Sequence, residues 1–507
     1  MKDSSNTTKQ NRSEVPEFAT LPLDSFHLQS KLIIPLRRSE KLDYTTENEI
    51  MYVSEIKVSE TIPTTVRIIF LILLSVIPTG LSYHIYSITT LQDQIESSLG
   101  ISETSYNLII ALTIAPSVIL PFFLGGLIDK IGSSLGLTIG TLIFFFGDTI
   151  ILYAFYLNSL YAVYVGCLFI GLGIDVTFIS HIKMIQKWFR GKHLSLALGF
   201  IATIASITSV VANIVAPLLY NVGEGKGLIL VPIGVQCLVS LLSVVIAGVL
   251  FFFDGKYNHI FVQNTLVETN KTVELKVVKH FPQTFWYIAI AAVCGYSTIM
   301  ATNFISYKFL QEKFNLSPNT AGIIRTIPQF VVIFLSPIMG KITDLYGKKL
   351  NLLMAAYLIL WSTLMMSAFF PSTSNLIELC TLFVLQGIFS SIHRVCPFAA
   401  MMLIIKTQHM GVASGLYCWF NGVMLSAVMF ADRLIITTTE TDRDHGYFWV
   451  FLFLAVFPTV AFGLILYAKI KDSEKGSVLE EVPSKIRASI FARGGSFKTT
   501  HPQSEEK

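Results

Sequence analysis

Charge is scarce in this sequence. Only 14% of its 507 residues are Asp, Glu, Lys or Arg, against about 25% in a soluble globular domain. With 52% hydrophobic residues and a mean hydropathy of +0.62, that scarcity excludes a domain that folds free in water. Paired cysteines are missing too. Cys167, Cys237, Cys294, Cys380, Cys396 and Cys418 all fall inside apolar runs with no CxxC spacing, which argues against a disulfide framework and a metal site. There is no phosphate loop and no catalytic triad, so neither an ATP-driven pump nor an enzyme fits. No cofactor and no nucleic-acid partner is expected. The stretch before the first apolar run, near Val66, is polar, and no cleavable signal peptide is read there.

Long apolar runs are what the sequence does have. Windows of about 20 apolar residues cross a bilayer as helices, and these runs are too long for barrel strands. The fold expected is an all-α membrane protein of 12 transmembrane helices. Spans start near Val66, Thr104, Leu135, Ser159, His193 and Leu228, then near Phe285, Thr320, Leu350, Ile377, Gly411 and Tyr447. The divisions expected are a disordered N-terminal tail over 1–64, a six-helix bundle over 65–253, a central loop over 254–283, a second six-helix bundle over 284–470 and a disordered C-terminal tail over 471–507. Lys and Arg crowd one set of loops: Lys130; Lys187, Arg190 and Lys192; Lys256, Lys271, Lys276 and Lys279; Lys341, Lys348 and Lys349; and Lys406. The other set holds only Lys226, Lys308, Lys313, Arg433 and Arg443. That bias predicts both termini in the cytosol. Trp188, Trp286 and Trp449 fall at span ends, where aromatic belts form.

One loop occurs twice. "GGLIDKIG" (Gly125 to Gly132) and "GKITDLYG" (Gly340 to Gly347) share a Gly, an Asp four residues on and a Gly three further, at an offset of 215. Each follows the second span of its half. "GKHLSLALG" and "QHMGVASG" repeat at an offset of 216. Two parallel copies of one six-helix design are implied. Gly125, Leu127, Asp129, Lys130 and Gly132, with Gly340, Asp344, Gly347, Lys348 and Lys349, resemble the signature loop of the major facilitator superfamily. Ser133 and Ser134 replace the basic pair usual in the first copy. Glycines let helices approach closely, and a loop aspartate can face the positive end of a neighbouring helix, latching one conformation.

Within that superfamily the chain resembles the lysosomal dipeptide uniporter branch. "WFRGKHLSLALG" carries its pattern in Trp188, Phe189, Arg190, Gly191, Lys192, Leu194, Leu196 and Gly199; Ser82, Tyr83, Tyr86, Leu91, Gln92 and Gln94 match its first helix; Cys294, Tyr296 and Glu312–Phe314 match its seventh. The resemblance implies facilitated export of Lys-, Arg- or His-containing dipeptides from lysosomes, and a single-span glycosylated accessory subunit. The branch has an acid in helix 4 and an arginine in helix 5. Asp175 takes the first position, but Ser206 falls at the second, and Ser87, Ile88 and Thr89 depart from the branch's Tyr-Asp-x-Pro.

An ionisable side chain at bilayer depth costs roughly 2.5–3.5 kcal/mol, so each needs a partner, water or a job. Asp175 lies 13 residues before Trp188, about 20 Å along a helix and near mid-membrane. Arg394, less the offset of 216, maps to position 178. The two opposite charges therefore sit at nearly equivalent depths in the two halves. They fit a zwitterion cradle, amine on Asp175 and carboxylate on the guanidinium fork. A structural ion pair between the halves fits equally. If the first reading holds, Arg394 replaces the cation lost at Ser206.

Other lining candidates are Tyr83, Tyr86 and Tyr296, and Arg325 as a second carboxylate anchor or a snorkelling side chain. His84, His181 and His393 are either proton carriers or packed, hydrogen-bonded residues. Lys183 is expected to snorkel. Pro116, Pro121, Pro328, Pro337 and Pro397 mark expected bends. The function expected is secondary transport by alternating access, with a small zwitterion or anion and the lipid bilayer as partners. Besides dipeptide export, an organic-anion, monocarboxylate or amino-acid carrier, proton-coupled or not, fits these residues, as does a transport-dead sensor. The membrane is lysosomal by resemblance, and the plasma membrane is the alternative.

Overall fold

The computed structural model describes residues 62–190, 193–222, 229–264, 275–371, 375–438, 443–474 and 479–480, within one compact unit, Asn48–Lys507. Most of both tails, Gly191, Lys192, Lys226 and Lys271 lie outside the described residues. In lipid every backbone N–H and C=O must be satisfied internally, and the described chain meets that demand with helices. Eleven are long and apolar enough to cross a membrane, and a bent pair makes a twelfth span. Span 1 is Thr64–Thr90, span 2 the pair Glu103–Val118 and Pro121–Ile131, span 3 Ser133–Leu157, span 4 Leu160–Phe189, span 5 Leu194–Asn221 and span 6 Leu230–Asn258. Spans 7 to 12 are Gln283–Phe314, Thr320–Tyr346, Lys349–Phe369, Leu376–Ile404, Thr407–Ile436 and Gly446–Glu474. The helix of span 6 runs on to Asn264, so helix also occupies the first residues of the segment read as a central loop.

Large apolar side chains such as Phe146, Phe252 and Phe334 are exposed on the outside, as a lipid-facing surface requires. Prolines set three breaks, because proline lacks the N–H that its ladder position needs. Span 2 bends by 57° between Val118 and Pro121. Span 1 splits at Pro78, and span 10 splits at Arg394 and Val395, just ahead of Pro397. Pro328 and Pro337 lie within one continuous helix.

Packing repeats as the sequence does. Span 3 packs on spans 4 and 6, and span 1 on span 5; correspondingly, span 9 packs on spans 10 and 12, and span 7 on span 11. Two seams join the halves, span 2 against span 11 and span 8 against span 5. Glycines allow both seams. A Cβ on Gly125 would strike the Gly411 backbone and one on Gly340 the Ser195 backbone; Gly415 is pressed likewise onto Pro121, and Gly199 onto Ser336. Each contact in one seam has its counterpart in the other at an offset of 215 or 216.

Trp188 departs from the belt position expected of it. It is fully buried, stacks on Phe70 with ring centroids 3.7 Å apart, and donates its Nε1–H to Asp254 Oδ1 at 2.9 Å. Exposed aromatics gather instead around the turn between spans 3 and 4, at Tyr153, Tyr156 and Tyr161.

Candidate functional site

The two repeated loops lie at one face of the helix bundle. Asp129 accepts the N–H groups of Gly411 (2.8 Å) and Val412 (2.9 Å), at the start of span 11. Asp344 accepts those of Ser195 (3.0 Å) and Leu196 (2.9 Å), at the start of span 5. Each aspartate thus caps a helix of the other half, satisfying orphan donors and facing a positive helix end. Gly132 (φ 93°) and Gly347 (φ 70°) close the two loops in the left-handed region that glycine adopts without strain.

The loops differ in their cations. Lys183 does not snorkel: it donates to Asp129 Oδ1 at 2.6 Å, and the carboxylate is wholly buried. It thereby supplies, from span 4, a cation beside the loop that has Ser133 and Ser134. Lys130 is exposed. In the second copy Lys349 is buried, and its Nζ has no hydrogen-bond partner. Further bonds latch this face. Gln186 donates to the carbonyls of Met402 and Ile405, both at 2.8 Å, and Arg190 to the carbonyl of Leu403 at 3.2 Å.

The two mid-span charges are not an ion pair. Asp175 is 4% exposed. Ser117 donates to its Oδ1 at 2.8 Å, and its Oδ2 has no partner. Arg394, at the break of span 10, donates from Nη1 to Ser206 Oγ (3.4 Å) and from Nη2 to Gln329 Oε1 (3.4 Å). Its guanidinium therefore rests against the very serine where the resembled branch has an arginine. Tyr296 lies within electrostatic range of Asp175, Arg394, Tyr86 and Cys418, and Cys418 is within range of Asp175. Under the repeat offsets, Arg394, Gln329 and Ser206 map to 178, 114 and 422, each within about one helical turn of Asp175, Ser117 and Cys418. The acid and the guanidinium occupy equivalent wedges in the two seams.

Toward the opposite face a cavity of ≈ 660 Å³ is lined from spans 1, 2, 7, 8, 11 and 12. Arg325 lines it, with Thr89 accepting from Nη2 at 3.5 Å. One turn along span 8, Gln329 donates to Tyr86 Oη at 2.6 Å while accepting from Arg394; none of these three lines the cavity. Glu103 is shared at the rim by Lys308 and Arg433.

Tyr86 is thus joined to Arg394 through Gln329, Asp175 stands in the other seam, Tyr296 lies within electrostatic range of all three, and Arg325 stands one turn from Gln329. Tyr83 and His393 are not part of that group. Tyr83 is buried with no partner for its hydroxyl. His393 Nε2–H donates to the Ala292 carbonyl at 3.1 Å, with its ring against Phe389 and Tyr357, all within its own half. His181 bonds the Leu74 carbonyl at 3.0 Å. His84 meets Asp148 at 2.9 Å and Gln236 at 2.8 Å inside the first half. Sequence reasoning passed over Asp148 and Asp432, although both lie inside apolar runs and meet the rule that singled out Asp175. Gln329 and Ser117 are neutral and gave no such signal.

Comparison with known proteins follows this geometry. A family model described as Major Facilitator Superfamily matches residues 72–307 and again 288–499, two matches that overlap in span 7. A lysosomal dipeptide transporter, MFSD1 of Bos taurus, is 26% identical over 405 residues, covering 77% of this chain and 82% of that protein. The riboflavin transporter RibZ of Clostridioides difficile is 23% identical, covering 56% of this chain and 68% of RibZ. Among solved structures, the transporter FucP has a TM-score of 0.63 at 12% identity, covering 80% of this chain and 99% of FucP. A bacterial homologue of the iron transporter ferroportin has a TM-score of 0.65 at 12% identity, with the same coverages.

Proposed function

The chain belongs to the major facilitator superfamily, multi-pass membrane transporters of small solutes, and from that premise we propose that it is a dipeptide uniporter exporting from a lysosomal compartment to the cytosol. The observation that carries the reading is the pair of unneutralised mid-span charges, Asp175 with an orphan Oδ2 and Arg394 bonded only to neutral groups. Charge at bilayer depth without a counter-charge is costly, more so for the buried Asp175 than for the half-buried Arg394. A zwitterion bound between the halves offsets both costs at once, its ammonium on Asp175 and its carboxylate on the guanidinium fork. The MFSD1 relatives support the dipeptide class.

In this reading the basic, latched face is cytosolic, and the cavity looks toward the lumen. Substrate entering between the halves reaches Arg394 once the Tyr86–Gln329 bond opens. The halves then rock about it as the Asp129 and Asp344 caps release. No covalent step is needed.

Uptake of labelled lysyl-alanine by proteoliposomes tests this. Flux should dissipate a dipeptide gradient and be abolished by Asp175→Asn. Unchanged flux in that variant contradicts the binding scheme, and accumulation driven by a pH gradient contradicts uniport. A thermal shift on adding dipeptide without any flux supports a sensor instead. A second reading, an organic-anion carrier, is favoured by Arg325 and Arg394, neither of which has a carboxylate partner. Monocarboxylates that compete better than dipeptides would establish it.

A further inference from the structure

The cavity contains a carboxylate that neither the fold nor the central pair uses. Asp432, in span 11, lines it yet is only 3% exposed. Neither of its oxygens has a hydrogen-bond partner. The other acids in the cavity wall are engaged: Glu103 by Lys308 and Arg433, and Glu312 by the Tyr447 hydroxyl at 2.7 Å. Across the same cavity Arg325 has a bond to the neutral Thr89 and no carboxylate partner. So one cavity, of a size typical of small-ligand sites, presents an unneutralised acid from span 11 and an unneutralised guanidinium from span 8. Asp175 and Arg394 are not among its lining residues.

A buried carboxylate with no donor is unfavourable unless something brings one. An ammonium is the simplest group that supplies both donors and opposite charge. We propose that Asp432 and Arg325 form a staging site for a zwitterion, receiving its ammonium and carboxylate respectively, outside the central pair. This rests on the transport reading above. The route inward is also built: Arg325 and Gln329 are four residues apart on one helix, hence neighbours on one face, and Gln329 already bonds Arg394. A carboxylate released by Arg325 meets Arg394 of span 10 as its next cation, where that guanidinium bonds Gln329.

The test uses the full chain in nanodiscs and three probes: alanyl-alanine, its N-acetyl derivative and its C-terminal amide. Wild type should bind the free dipeptide best. Asp432→Asn should weaken alanyl-alanine by about tenfold or more, the size of one lost charge-assisted contact, and leave the N-acetyl form unchanged. Arg325→Gln should do the same for the free dipeptide against the amide. In an Asp175→Asn background, residual dipeptide binding should persist and disappear when Asp432→Asn is added. Equal weakening of all probes by Asp432→Asn, or no weakening of any, overturns the proposal. So do unchanged affinities with a shifted pH profile of uptake, which would make Asp432 a proton carrier. Without ligand, Asp432→Asn should raise Tm, since it removes an unsatisfied buried charge; a lower Tm with lost binding would mark a structural role and also overturn it. The two readings fail separately. Flux untouched by Asp175→Asn sinks the central site and leaves the Asp432 comparison standing, whereas an inert Asp432→Asn sinks only the staging site.

Discussion

Lys183 and Asp129 illustrate how strongly a single pairing alters the cost of a residue. Both loop aspartates cap helices, but only Asp129 also bonds a buried lysine; Asp344 acts on the buried Lys349 through charge alone, without a hydrogen bond. Asp344→Asn should therefore cost about 0.5–2 kcal/mol, the range of a lost cap. Asp129→Asn should cost about 3–5 kcal/mol, because it strands Lys183, and Asp129→Asn combined with Lys183→Met should recover much of the loss. Unfolding of the three purified variants checks this ordering. At the centre, Arg394→Lys should not preserve flux, since a lysine cannot offer the two-point fork; uptake at saturating dipeptide measures it. The sequence made Asp175 and Arg394 conspicuous because charge inside an apolar run is rare. It could not say that they stay apart, because that depends on Ser206, Gln329 and Ser117, whose neutral side chains carry no signal until the helices are packed. Lys183 was misread for the same reason: a cation near a span end snorkels by default, and its partner lies 54 positions away.

At the scale of elements, the seams are the most exacting contacts. Gly125 and Gly340 abut the backbone of the facing helix, so no rotamer change can make room for a larger side chain. Gly340→Val should open the seam between spans 8 and 5, destabilise the latched conformation by about 1–3 kcal/mol, and raise thiol labelling of a cysteine introduced at Ser195. Gly126 has open space around it, and Gly126→Ala should leave labelling unchanged. The spans themselves were readable from hydropathy to within a few residues. The breaks were readable only in part: Pro397 precedes no kink of its own but frees the turn at Arg394, whereas Pro328 and Pro337 are absorbed in an unbroken helix.

For the whole molecule, the doubled loop foretold more than topology. The 215-residue offset predicts equivalent seams, equivalent caps and equivalent wedges for two charges, and the structure contains all three. What the repeat could not supply is the difference between the halves: Lys183 in one, the buried Lys349 in the other, and the acid and the guanidinium in opposite wedges. In the proposed function that asymmetry gives a symmetric frame a defined substrate orientation. A structure of the protein bound to lysyl-alanine tests this most directly. The account predicts the dipeptide between the halves, its α-ammonium within hydrogen-bond distance of Asp175 and its carboxylate on the Arg394 fork. Density for the dipeptide with its carboxylate toward Asp175, or bound wholly within one half, would contradict it.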